Sequence, residues 1–244
     1  MLRDRNQFKE GLLRQIAMMS PRIALIHATP VAIDPIVRAF KTLWPQARTT
    51  NLLEDALSAD LAAEGELTEK MIQRFITLAR YVHGCGADAI LFTCSAFGPA
   101  IEAARRAVPI PVLKPNEAML DEAIAAGSRV GLIATFEPSI PALKAELEEL
   151  AERSRAKLSI VTRAVPAALA ALHAGQHHEH DRLIAAAAED LNECDAVILG
   201  QFSMASAAAV IPVRPGRKVL TSPASAVLRL REALRGEAAR YAGR

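Results

Sequence analysis

Three apolar segments of this chain recur at one fixed interval. Arg22–Ile26 is echoed by Arg129–Ile133, Asp88–Phe92 by Asp195–Leu199, and Val112–Leu113 by Val219–Leu220, each pair 107 residues apart. A constant interval over three segments is the trace of an internal duplication. Each segment is short and almost continuously apolar, as in a strand buried on both faces of a parallel sheet. Helical spacing fills the intervals. Residues 31–43 put Ile33, Ile36, Val37, Phe40 and Leu43 on one face, and residues 66–83 do the same with Leu67, Met71, Phe75, Leu78, Ala79 and Val82. Further helices are expected over 98–107 and over 116–126, the latter capped by Asn116. Ala47–Leu53 is a weaker strand candidate.

Strands alternating with helices predict an α/β chain of two pseudo-symmetric, flavodoxin-like lobes, each a short parallel sheet flanked by helices. The expected divisions are an N-terminal extension over 1–20 with a short amphipathic helix, lobe 1 over 21–114, and lobe 2 over 115–222. A C-terminal helix over 223–240 is expected to pack on lobe 1.

Composition removes several function classes. The net charge of +2 argues neither for nor against a nucleic-acid partner, but Lys and Arg are scattered and aromatic residues are 4% of the chain, so none is expected. Lys9 and Arg14 interrupt the apolar residues of the first twenty, which read as neither a signal peptide nor a spanning helix, and no membrane partner is expected. Cys85, Cys94 and Cys194 cannot all pair, which suits a reducing, cytoplasmic location. No Gly-x-Gly-x-x-Gly or phosphate-loop pattern follows a strand, against a nucleotide. His177-His178-Glu179-His180 looks like a metal cluster, but neighbours on a helix point about 100° apart, so only His177 and His180 share a face. It reads as a solvated loop or helix start, and no metal is expected. Glu146, Glu148, Glu149, Glu152, Arg153 and Arg155 read as a solvated helix face. The alanines of 185–188 suit close helix packing, compatible with a homo-oligomer.

The stretch Ala89-Ile-Leu-Phe-Thr-Cys94-Ser-Ala-Phe97-Gly98-Pro99 carries the chemistry. An apolar strand ends in small polar residues around a cysteine, and Gly98-Pro99 then opens a helix. Ligands of open α/β sheets bind at the carboxyl ends of strands. A thiol there is expected to face the next helix's amides and dipole, which favour the thiolate and suit a carboxylate. Thr93, Ser95 and Ala96 flank Cys94. The same interval of 107 carries Cys94 onto Gln201, Ser95 onto Phe202 and Ala96 onto Ser203. Other strand ends hold His27, Thr29, Thr135, Phe136, Thr221 and Ser222, and lobes that faced each other would make these ends the walls of one cleft. Phe97, Phe136 and Phe202 on that rim would admit an apolar substituent. Cys85, in a glycine turn, and Cys194 read as structural.

Thr93-Cys94-Ser95-Ala96 after an apolar strand resembles the first cysteine motif of the cofactor-independent aspartate/glutamate/hydantoin racemase superfamily. Ile198-Leu199-Gly200-Gln201-Phe202-Ser203-Met204 resembles its second, and the likeness runs from about Arg22 to the C-terminal helix. It implies a small carboxylic-acid substrate and no nucleotide, metal or pyridoxal cofactor. The superfamily's racemases use two cysteines, one on each face of the substrate carbon; it also contains maleate isomerase and arylmalonate decarboxylase. This chain departs from the pattern. Gln201 stands at the second cysteine's place, and an amide is no base near neutral pH. Ser95-Ala96 replace the usual Asn-Thr, and Cys194 precedes its strand, at the wrong end of the sheet. The resemblance therefore implies a racemase-like isomerase with one cysteine, Cys94, and His27 as candidate for the missing acid/base. Thr93, Ser95, Thr135, Ser203, Thr221 and Ser222 would hold the carboxylate, with Ala96, Phe136, Gln201 and Phe202 lining the site. Two alternatives remain. One is a decarboxylase that protonates from Cys94, mirroring arylmalonate decarboxylase, whose single cysteine is in the other lobe. The other is a catalytically lapsed protein that only binds a small acid.

Overall fold

Each apolar run expected as a strand is one, and both sheets are wholly parallel. β1 (Arg22–His27), β2 (Arg48–Leu53), β3 (Ala89–Phe92) and β4 (Val112–Leu113) pair in the order β2-β1-β3-β4. β5 (Arg129–Ala134), β6 (Ser159–Ala164), β7 (Ala196–Leu199) and β8 (Lys218–Thr221) repeat that order as β6-β5-β7-β8. This computed structural model describes residues 20–242, so the expected N-terminal helix lies outside the described residues. The chain divides into two units, Asn116–Ala226 and the remainder, which joins the residues up to Pro115 to those from Val227 onward.

In the first unit the helices are α1 (Ile33–Leu43), α2 (Ala56–Glu64), α3 (Glu69–Gly84) and α4 (Gly98–Ala107). Thr68 caps α3 by accepting the Met71 N–H, and Gly86, at φ 83°, supplies the left-handed residue just past its end. Ala24, Ile26, Ile90 and Phe92 alternate onto one face of the sheet and pack with Phe75, Ala79, Ile101 and Ala104 from α3 and α4. Phe75 anchors this core, its ring 5.1 Å from Phe92 and 4.9 Å from Phe97.

In the second unit the helices are α5 (Glu117–Ala126), α6 (Ile140–Arg153), α7 (Pro166–His173) and α8 (His177–Glu189). Val130, Leu132, Ala196 and Ile198 pack with α5 and α6, while Ile133, Val197 and Leu199 pack with Ile184 and Ala188 of α8. α9 (Ser222–Ala242) starts here and belongs to the first unit from Val227, where Arg231 donates to the Leu43 carbonyl at 3.0 Å.

The duplication is written in hydrogen bonds as well as strand order. Asp88 accepts the Arg22 N–H at 2.7 Å and returns its own N–H to the Arg22 carbonyl; Asp195 does the same with Arg129 at 2.9 Å. The Thr93 N–H meets the Ile26 carbonyl as the Gly200 N–H meets that of Ile133. β6 is the copy of β2, displaced by 111 residues rather than 107. The four extra residues fall in and after α6, which is 14 residues long against 11 in α1. That shift, and the mixed polarity of Ser-Ile-Val-Thr-Arg-Ala on a half-exposed edge, is why β6 escapes a reading based on apolar runs and a constant interval. The short α2 and α7 also went unread, both being alanine-rich with weak periodicity. Asn116 is a correction: its side chain does not cap α5 but accepts the Ser222 hydroxyl at 2.8 Å.

Candidate active site

Strand order reverses between β1 and β3 in the first sheet and between β5 and β7 in the second, and in open α/β sheets ligands bind outside the strand ends at such points. His27 ends β1, and Thr93-Cys94 follow β3. Cys94 is half-buried, at the entry to a 3-10 turn, Ser95–Phe97, that runs into α4. This turn separates the thiol from the first amides of α4, so its hydrogen-bond donor is the nearer Ala96 N–H. Burial pushes the Cys94 thiol up from its ordinary value and outweighs that bond. That direction is opposite to the one expected from the amides and dipole of the next helix.

His27 is fully buried. Its Nδ1 lies 2.8 Å from Thr93 Oγ1 and its Nε2 3.0 Å from Asn51 Oδ1. Burial lowers its pKa, opposed by the Asn51 bond, so the ring is neutral. Both ring nitrogens are thus engaged within the first unit. Asn51 escaped attention in the sequence; its signal is a polar residue on β2 in register with Leu25 of β1, which register alone reveals. Cys94 and His27 border one narrow recess, with no room for a water, together with Ile26, Ala28, Leu57, Phe75 and Phe92. Ser95 and Ala96 are exposed beside it, whereas Thr93 is buried. Phe97 is also buried, in the core against Phe75 and not on a rim as expected.

At the equivalent strand ends of the second unit the chemistry differs. Gln201 takes the Thr135 N–H on Oε1 at 3.0 Å and the Thr135 hydroxyl at 3.3 Å, and its Nε2 donates to Ser139 Oγ at 2.8 Å. Ser139 in turn donates to the Phe136 carbonyl. Gln201 is therefore a cross-link between the β7 end and the turn after β5. Thr135 is 1% exposed, Phe202 is buried, Ser203 is half-buried and Phe136 is exposed. Thr221 accepts the Ala224 N–H at the start of α9, and Ser222 is buried with its hydroxyl on Asn116. Cys194 is buried ahead of β7, and Cys85 is exposed in its turn.

The histidine-rich stretch is a helix start, but His180 is fully buried with Nδ1 2.7 Å from Asp181 Oδ1, a correction to the solvated reading. Among the described residues no three His, Cys, Asp or Glu side chains gather as metal ligands, and no helix is long and apolar enough to cross a membrane.

Comparison with known proteins agrees with this architecture. The family model for Asp/Glu/Hydantoin racemase matches residues 16–230. An aspartate racemase homologue from Pyrococcus horikoshii superposes with a TM-score of 0.64 at 18% identity, over 87% of this chain and 98% of its own. Unliganded arylmalonate decarboxylase gives 0.61 at 17% identity, over 88% and 93%. Allantoin racemase from Klebsiella pneumoniae gives 0.63 at 16% identity, over 87% of each chain. At these identities the likeness is one of fold. No curated protein matches the chain.

Proposed function

We propose that this chain, which belongs to the Asp/Glu/hydantoin racemase family, acts as a racemase-like isomerase on the carbon next to the carboxylate of a small acid, with Cys94 as its single acid/base cysteine. The observation that carries this reading is the place of Cys94, half-buried at the strand-order reversal with an N–H aimed at its sulfur. The thiolate takes the α-proton: an S–H bond forms, the C–H bond breaks, and its electron pair passes into the carboxylate as an enediolate. The exposed Ser95 hydroxyl beside Cys94 suits that carboxylate, whose charge grows as the proton leaves. The substrate's own carboxylate accepts the electron pair, so this chemistry needs no cofactor. Return of the proton from Cys94 restores the starting configuration, and delivery of a proton from solvent water to the other face inverts it. Gln201, at the equivalent place in the second unit, has no proton to give at neutral pH.

Two observations favour a second reading, cofactor-free decarboxylation. Gln201 is tied into its own turn, and burial shifts Cys94 toward its thiol form. Loss of carbon dioxide from a disubstituted malonate leaves the same enediolate with no base required, and a thiol is the form that then protonates it.

The test is incubation with panels of small α-substituted acids and of malonates in heavy water, read by proton NMR, chiral separation and carbon dioxide release. Exchange of the α-hydrogen that disappears in Cys94→Ser supports the isomerase reading. Release of carbon dioxide with one enantiomer formed moves the assignment to decarboxylation. Ligand binding without exchange or release would sink both, leaving a protein that only binds acids.

A further inference from the structure

The hydrogen bonds around His27 determine where its proton sits. Asn51 Oδ1 can only accept, so at 3.0 Å it requires the proton of a neutral ring on His27 Nε2. Nδ1 is then an acceptor, and the Thr93 hydroxyl, 2.8 Å away, donates to it. That hydroxyl also lies 3.4 Å from the Ile26 carbonyl, but the shorter contact takes the proton. Thr93, just after β3, His27 on β1 and Asn51 on β2 thus form one directed chain of donation that starts at the residue joined to Cys94 and ends on Asn51 Oδ1.

The second unit has none of this. By strand register and the repeat interval, its counterparts of Asn51, His27 and Thr93 are Thr162, Ala134 and Gly200. A side chain at Gly200 has no room, since its Cβ would lie 2.8 Å from Leu143 Cδ1 and 3.1 Å from the Ile133 carbonyl. The chain of hydrogen bonds exists only in the unit that holds the site cysteine.

We propose that Asn51 and His27 are positioning residues for Cys94: Asn51 pins the imidazole with its proton on Nε2, and the ring then holds Thr93, and with it the turn bearing the thiol, through the Thr93 hydroxyl. This rests on the reading of Cys94 as the reacting group. It also removes the Thr93 hydroxyl from the donors open to a substrate carboxylate. Of the charged groups on the flanking elements, Glu54, just after β2, and Asp60 on α2 are paired with Arg74 of α3, while Arg22 and Arg48 begin β1 and β2 at the opposite end of those strands from His27; the ring bonds to Asn51 and Thr93 and shares its recess with the thiol.

The test uses Asn51, which is exposed on an edge strand, and reads the thiol without any substrate. Asn51→Asp places a carboxylate on Nε2–H and favours the imidazolium, a cation beside Cys94. The pH profile of Cys94 alkylation by iodoacetamide, resolved from Cys85 and Cys194 by peptide mapping, should move down by about one unit. Asn51→Leu, which removes the acceptor, should give no downward shift and should move the ring proton to Nδ1, read by nitrogen-15 NMR of His27. Thermal unfolding checks that each variant is folded. A wild-type ring protonated on Nδ1, or an Asn51→Asp profile that overlays the wild type, overturns the proposal. Because no substrate is involved, a protein inert toward every acid can still pass this test, and an active one can fail it.

Discussion

Gln201→Ala isolates the cross-link at the end of β7, the place that matches Cys94 in the repeat. Alanine removes the acceptor of the Thr135 N–H and hydroxyl, and the donor to Ser139. The three losses are unequal. The Thr135 hydroxyl can turn to another partner, and half-buried Ser139 keeps its bond to the Phe136 carbonyl and can take water. The Thr135 N–H cannot move, and at 1% exposure it has no access to water. Leaving a buried donor unsatisfied costs about 1–3 kcal/mol, so the variant should lose about 2 kcal/mol. For a chain of this length that lowers Tm by roughly 4–8 °C. Gln201→Glu keeps an acceptor for both Thr135 groups and should lose less than about half as much. Differential scanning calorimetry of the three proteins at pH 7.5 makes the comparison. A Gln201→Ala protein that melts within about 1 °C of wild type, or a Gln201→Glu protein that falls as far as alanine, would show that the Thr135 N–H does not depend on Gln201 for its partner.

Gly127→Ala probes the paired aspartate device of the second unit: the new Cβ would lie 2.5 Å from Asp195 Cβ and 2.2 Å from Oδ2, displacing the carboxylate that accepts the Arg129 N–H. Its φ of 162° is extended backbone open to any residue, so the cost is steric, about 1–3 kcal/mol, and urea unfolding should show it as a lower midpoint. Neutral, buried His27 makes stability depend on pH. Its folded pKa lies below the unfolded value of about 6.5, so the unfolded chain binds the proton more readily, and stability is full above that value and falls as pH drops below it. Denaturant midpoints at pH 7.5 and 5.5 should differ in wild type and differ less in His27→Gln; an unchanged difference would remove His27 as the cause.

The interval of 107 residues was enough to determine two α/β lobes, because central strands of parallel sheets are apolar on both faces and announce themselves locally. The cysteine at the end of β3 and the glutamine at the end of β7 were legible for the same reason, since each follows such a strand directly. The edge strand β6 was not, because a half-exposed strand mixes polar and apolar residues and its interval had drifted to 111. Nor was the bonding of the site residues. His27 meets Asn51 and Thr93 across 24 and 66 residues of chain, and Gln201 meets Thr135 across 66. Those pairings follow from sheet register and from how the turns fold over the strand ends, neither of which a local pattern encodes. The sequence by itself therefore determined that a cysteine follows the third strand of the first lobe where a glutamine follows its copy in the second. The tertiary structure decided that burial pushes the Cys94 thiol up from its ordinary value, that the neighbouring histidine bonds to Asn51 and Thr93, and that the glutamine matching the cysteine in the repeat is a cross-link, because solvation and hydrogen-bond partners are set only once distant strands are side by side.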